Sequence, residues 1–220
     1  MKKKNKVSLF KKYLLYFLIL VYVSGAIGFI IKPDFFSPFT PFTLLLTGLV
    51  FLIHQPINKL NYSLSFIALA LIGFVAEVIG VKTGFVFGDY FYGETLGYKL
   101  LGVPLLISIN WALLINISIL VASYVSTKPF LLAILSSAII TSVDLVMEQS
   151  ASQMDFWHFT IGLPGIHNYI GWFIISFLAS LLLQKNLVMG NKKIALIILL
   201  LQVFFFGLIY MNKLFNFVLS

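Results

Sequence analysis

Two of the seven carboxylates in this 220-residue chain fall inside long apolar runs, where an acid has no routine structural task, and a third lies just past the end of one. Glu77 lies about four residues from the end of its run, which at ~1.5 Å per residue puts it roughly 6 Å inside an apolar slab. Asp144 sits at a similar depth two runs later, and Glu148 follows it at i+4, on the same helix face one turn on. Ionisable side chains in such positions are rare and mark proton relays or substrate sites. Two carboxylates held close together can divide the roles of acid and base between them. Other polar groups share that layer: Asn110 and Trp111 in the fourth run, and His167, Asn168 and Trp172 opening the sixth. Tyr90, Tyr92 and Trp157, in the segments between runs, are the remaining candidates for a pocket.

Each candidate also has a plainer reading. Glu77 could bond Lys82 or a backbone group, and Glu148 could be solvated at its helix end. Tyr90, Tyr92, Trp157 and Trp172, taken one by one, fit an aromatic belt at a membrane interface. His158 and His167 have no HxxH or HExxH spacing, so no metal is expected. His54 falls near the opposite end of its run, and Asp89, Glu94 and Asp155 read as solvated loop charges.

The elements that must position these residues follow from composition. The chain is 60% hydrophobic and 10% charged, with a mean hydropathy of +1.04, so its solvent is largely lipid. The absence of cysteine excludes disulfides and thiolate chemistry. All basic residues are lysines placed at the ends of apolar runs, a pattern set by membrane topology, and no nucleic-acid partner is expected. Apolar stretches near 13–31, 39–57, 62–81, 103–126, 129–147, 166–184 and 194–212 are each long enough to cross about 30 Å of hydrocarbon. Backbone groups in lipid must bond internally, and the runs lack the alternation of a barrel, so the expected fold is all-α. The chain reads as one polytopic transmembrane bundle over 1–220, with about seven helices. The first run is longer than a secretory h-region and no A-x-A-like site follows it, so it reads as an uncleaved span.

With the N-terminus in the cytoplasm of a multi-pass cell-membrane protein, eleven lysines fall inside and four (Lys32, Lys82, Lys99, Lys213) outside. Every carboxylate then belongs to the outer half or the outer loops. Two of those connections are long. The one from Lys82 to Lys99 alternates glycine with aromatics and suits a short hairpin or re-entrant segment; the other runs from Gln149 to Ile166.

Taken in order, Glu77-Val-Ile-Gly-Val-Lys-Thr-Gly-Phe-Val-Phe-Gly-Asp-Tyr-Phe-Tyr, Leu96-Gly-Tyr-Lys-Leu-Leu-Gly-Val-Pro104 and Trp111 resemble the central signature of the membrane carotenoid hydratases. Asp144-Leu-Val-Met-Glu148, Phe156-Trp157 and Gly162-Leu-Pro-Gly-Ile-His-Asn-Tyr-Ile-Gly-Trp172 resemble that family's later elements, so the likeness covers about 70–182. Gln149 stands where the family usually has proline, and His158-Phe159 depart from its W-x-W pattern. The resemblance implies addition of water, without a cofactor, to the terminal double bond of an acyclic carotenoid of the lycopene or γ-carotene type, giving a tertiary alcohol. The residues singled out above suit that chemistry, with Asp144 or Glu77 expected as proton donor, Glu148 as the group that orients water, and Asn168, Trp157, Trp172, Tyr90 and Tyr92 as pocket. Other carotenoid biosynthesis enzymes are the expected neighbours. Two other classes fit a seven-helix chain. A non-catalytic carrier of a small lipid or ion would use the same acids, with polar groups at several depths. A retinal receptor would need a mid-span lysine, and Lys213 lies at the end of the last run.

Overall fold

The computed structural model describes the backbone of residues 2–219 and the side chains of residues 9–215; the side chains of Lys2, Lys3, Lys4 and Lys6 lie outside the described residues. Its long helices are α1 (Lys2–Ile31), α3 (Thr40–Ile53), α4 (Leu60–Thr83), α5 (Leu105–Ala122), α6 (Pro129–Ala151), α7 (Ile166–Leu187) and α8 (Lys192–Leu219). A short α2 (Pro33–Phe36) and a 3₁₀ turn (Ser37–Phe39) lead into α3, and together they make the second of seven spans long and apolar enough to cross a membrane. The protein is an all-α polytopic membrane bundle. Large apolar side chains such as Leu64, Leu71, Ile174 and Leu182 face outwards along the spans, as lipid contact requires.

All seven expected runs lie on helices, but α1 starts at Lys2, ahead of the expected 13, and α8 runs to Leu219, past the expected 212; two further differences have a local cause. The second span begins at Pro33, because the prolines of Pro33-Asp-Phe-Phe-Ser-Pro38 start helical turns at their N-termini instead of ending them. The fourth helix starts at Leu105, because Val103 and Pro104 form a strand. Gln149 retains the N–H that proline lacks, and α6 runs on through it to Ala151.

Most of α5 is buried, and the other spans arrange themselves around it. α4 can approach closely because of Gly73: a Cβ there would lie 2.3 Å from the Cβ of Trp111. Some buried polar groups tie helices to one another: Asn116 on α5 donates to the Tyr62 hydroxyl on α4 (2.7 Å), and Ser136 on α6 donates to Ser180 on α7 (2.9 Å). At the lysine-rich end, Lys192 donates to the Ser123 carbonyl (2.9 Å), closing α8 onto the α5 terminus.

The opposite end carries the strands β1 (Tyr90–Tyr92), β2 (Lys99–Leu100), β3 (Val103–Pro104) and β4 (Trp157–Phe159). β2 and β3 make a hairpin over 99–104, which begins only at the end of the Lys82–Lys99 stretch where a hairpin or re-entrant segment is expected; that stretch supplies the single strand β1 instead. The main pairing joins the two connections to each other: β1 runs antiparallel to β4, with Tyr90 opposite Phe159, Phe91 opposite His158 and Tyr92 opposite Trp157. This two-stranded lid lies on the helix ends.

The Gly73 contact is testable. Gly73→Ala should destabilise the purified protein in detergent by about 1–3 kcal/mol, since the clash falls on a packed side chain, whereas Gly207→Ala, where nothing lies within 4 Å, should not. Equal thermal midpoints for the two variants would contradict this packing.

Candidate active site

The pleat of β1 decides what its side chains can reach. Alternate residues leave opposite faces of a strand, so Tyr90 and Tyr92 point down into the bundle while Phe91 remains exposed and stacks on His158. Below them is Glu77 on α4, only 4% exposed. Both tyrosine hydroxyls donate to Glu77 Oε2, that of Tyr92 at 2.7 Å. Trp111 Nε1 on α5 donates to Oε1 at 2.8 Å. Glu77 therefore has three donors from two elements, and neither Lys82 nor a backbone group is among them.

The second acid centre belongs to α6. Asn168, in the first turn of α7, donates from Nδ2 to Asp144 Oδ2 (2.9 Å) and to Glu148 Oε1 (3.1 Å), so one amide ties together two carboxylates a helical turn apart. Trp157, delivered by β4, donates from Nε1 to Glu148 Oε2 (2.9 Å). Glu148 is thus held at both oxygens and is not simply solvated at its helix end. Asp144 is 1% exposed, and its Oδ1 has no hydrogen-bond partner among the described residues.

The two centres share one pocket. Glu77, Asp144, Glu148, Tyr90, Tyr92, Asn110, Trp111, Trp157, Asn168 and Trp172 all line it. Its free volume is about 20 Å³, enough for roughly one water molecule. Trp111 and Trp172, both lining it, are stacked directly on each other, ring centres 4.0 Å apart and 2° from parallel. Tyr90, Tyr92, Trp157 and Trp172, read as pocket residues with an interface belt as the plainer alternative, are walls of this buried site, and all but Trp172 donate to its carboxylates.

His167, read from sequence as part of the pocket, is not brought there. It is exposed and lines a separate surface crevice with Asp89 and Thr160, because α7 turns Asn168 inwards and its neighbour outwards. Four pocket residues escaped the sequence reading: Phe87, Ile107, Met147 and Phe159. Phe87, the second aromatic of Gly84-Phe-Val-Phe-Gly88, packs against Tyr90, Trp111 and Trp172. Its signal was present in the alternation of that segment. Met147 lies on the α6 face between Asp144 and Glu148, where i+3 spacing points to it.

Asp155 is more than a solvated loop charge. His158 Nε2 lies 2.9 Å from its Oδ1, and its Oδ2 accepts from the Glu94 backbone N–H at 2.7 Å, fastening one long connection to the other. The hydrogen bond with His158, followed by that from the Glu94 amide, holds the Asp155 carboxyl below its ordinary value. No group of three His, Cys, Asp or Glu side chains suited to a metal occurs among the described residues.

Burial first, and then the neighbouring Glu77 charge, raise the phenol groups of both Tyr90 and Tyr92 above their ordinary value of 10.0. Folding therefore favours their neutral form. Their contribution to stability is complete below pH 10, the unfolded value, and falls as pH rises above it. Alkaline titration should show phenolate absorbance in the folded protein lagging behind that of the denatured chain, with the gap narrowed in Tyr90→Phe/Tyr92→Phe. Coincident titration curves would contradict burial of these hydroxyls.

Comparison with known proteins gives two findings. A family model described as carotenoid biosynthesis protein matches residues 39–220. A bisanhydrobacterioruberin hydratase of Haloarcula japonica is 33% identical over 138 residues, which are 58% of this chain and 46% of that protein, so the chain aligns with less than half of its relative's length. No solved structure matches.

Proposed function

Because this chain belongs to the carotenoid biosynthesis protein family, we propose that it is a hydro-lyase that adds water to the terminal double bond of an acyclic carotenoid end group, giving a tertiary alcohol. The observation that carries the reading is the Asp144–Asn168–Glu148 cluster, facing the Glu77 centre across a pocket with room for about one water. The name of the Haloarcula relative supports hydration.

The geometry suits a division of labour. Asp144, whose Oδ1 is unengaged, is the proton donor. Transfer of its proton to the less substituted alkene carbon leaves a tertiary carbocation on the neighbouring carbon. The faces of the pocket's tryptophans and tyrosines stabilise that cation, as does the negative charge of Glu77. Both oxygens of Glu77 are occupied by the two tyrosine hydroxyls and the Trp111 N–H, so it serves as the electrostatic partner, and Asp144, with Oδ1 unengaged, as the acid. Glu148, fixed by Trp157 and Asn168, orients the water and takes its proton as the C–O bond forms. Return of that proton to Asp144 closes the cycle, one water being consumed and no electrons exchanged.

Buried carboxylates occur in one layer only among the described residues, which favours an enzyme site over an acid relay through the membrane. The lysine asymmetry supports a cytoplasmic N-terminus in the cell membrane, with the acid layer near the outer headgroups. A polyene of the lycopene or γ-carotene type, dissolved in the bilayer, would then reach the pocket from the side.

Expression in a host that accumulates an acyclic carotene should yield pigment heavier by one water. Asp144→Asn and Glu148→Gln should each lower the yield by about 10²-fold or more, the scale of a lost general acid or base. Undiminished product from Asp144→Asn removes the proposed acid, and a wild-type chain that yields no water adduct removes the reaction.

A further inference from the structure

The hydrogen bonds of the acid pocket leave one amide out. The three carboxylates draw their donors from Tyr90, Tyr92, Trp111, Trp157 and Asn168. Asn110 on α5 lines the same pocket and is 5% exposed, yet its side chain makes no hydrogen bond among the described residues. Nor is its amide closed over by packing, as the Oδ1 of Asn116 on the same helix is. Asparagine is a weak helix former, and a buried amide without partners is costly. Packing alone gives no reason for it.

Its place is fixed by its neighbours. Asn110 stands with Ile107, Met147 and Trp157 in the wall between the pocket and an adjoining, mostly apolar cavity of about 320 Å³. Met147 precedes Glu148 on α6, and Trp157 donates to Glu148 Oε2 at 2.9 Å. α5 begins and α6 ends beneath the lid, so Asn110, about 7.5 Å in from Leu105, and Met147, about 6 Å back from Ala151, lie at nearly one level. The free amide is therefore at the Glu148 edge of the pocket. A water molecule there needs two or more polar partners. Each Glu148 oxygen accepts one bond, from Trp157 or Asn168, and keeps a lone pair for such a water. Asn110 offers the second partner, and the apolar cavity beyond offers the water little.

We propose that Asn110 holds the attacking water: its Oδ1 accepts one O–H, which leaves the other O–H to Glu148 and an oxygen lone pair to the carbocation. The inference rests on the hydration reading above and adds the group that fixes the direction of attack. As the C–O bond forms, the O–H facing Glu148 breaks and its proton passes to that carboxylate, while the hydrogen facing Asn110 stays in the tertiary hydroxyl. The cation has one other exit, loss of a proton to the Asp144 carboxylate, which regenerates the alkene. Asn110 thus governs how the cation divides between alcohol and alkene, and has no part in forming it.

The test is turnover of an acyclic carotene by the full chain in deuterium oxide, with alcohol scored against recovered alkene that has gained deuterium at its end group. A deuteron added to the alkene carbon, followed by loss of the hydrogen already there, leaves that label, so alcohol and labelled alkene together report the cations formed. Wild type should give mostly alcohol. Asn110→Leu, close in volume and without polar atoms, should lower the ratio of alcohol to labelled alkene by about tenfold or more, the scale of one hydrogen bond to the reacting water, while their sum stays within about threefold of wild type. Asn110→Ser, which returns a hydroxyl, should restore the ratio by about threefold or more over Asn110→Leu. An unchanged ratio in Asn110→Leu, or alcohol and labelled alkene that fall together in a folded protein, overturns the role of Asn110. If Asn110→Leu does not fold, Asn110→Ser against Asn110→Ala decides, with a higher ratio in Asn110→Ser expected and equal ratios overturning the proposal. The hydration reading fails separately: wild type that forms neither alcohol nor labelled alkene removes the reaction itself, whereas wild type that hydrates with a ratio indifferent to Asn110 removes this residue alone.

Discussion

A carboxylate enclosed in a bundle surrounded by lipid must find hydrogen-bond donors within the protein, since water is not there to supply them. Glu77, Asp144 and Glu148 together demand more donors than apolar helices can offer. The chain supplies two from α5 and α7, through Trp111 and Asn168, and brings the others down from the connections as Tyr90, Tyr92 and Trp157. Much of the architecture at this end follows from that requirement.

The lid is an example. A two-stranded pairing of such short strands is weak on its own, but β1 and β4 are each anchored by a hydrogen bond to a buried acid, through Tyr92 to Glu77 and Trp157 to Glu148. These two residues are also direct cross-strand partners, so the register of the lid and the placing of donors on two separate carboxylates are one constraint. Asp155 fixes the two connections to each other from outside. The same residues wall the pocket, so the contacts that stabilise the acids also exclude solvent and shape the site.

Much of this was legible in the chain. Hydropathy located all seven spans, and the depth and i+4 spacing of Glu77, Asp144 and Glu148 singled out the three acids that the fold brings to one pocket. Helix rise and periodicity are local properties, which is why they could be read. The pairing of β1 with β4 joins segments more than sixty residues apart and has no local signal, so Tyr90, Tyr92 and Trp157 could be picked out as pocket candidates but not matched to particular carboxylates. His167 was misplaced for a related reason: adjacent residues at a helix start point in different directions, and only the neighbouring helix shows that Asn168 is the one facing in.

The proposed protonation of the alkene by Asp144, followed by capture of the cation by water, would leave a mark in the product. Wild-type protein supplied with an acyclic polyene in deuterium oxide should give a tertiary alcohol carrying one non-exchangeable deuterium on the carbon next to the carbinol, located by mass fragmentation. Alcohol formed without carbon-bound deuterium would contradict an acid-initiated hydration in this pocket.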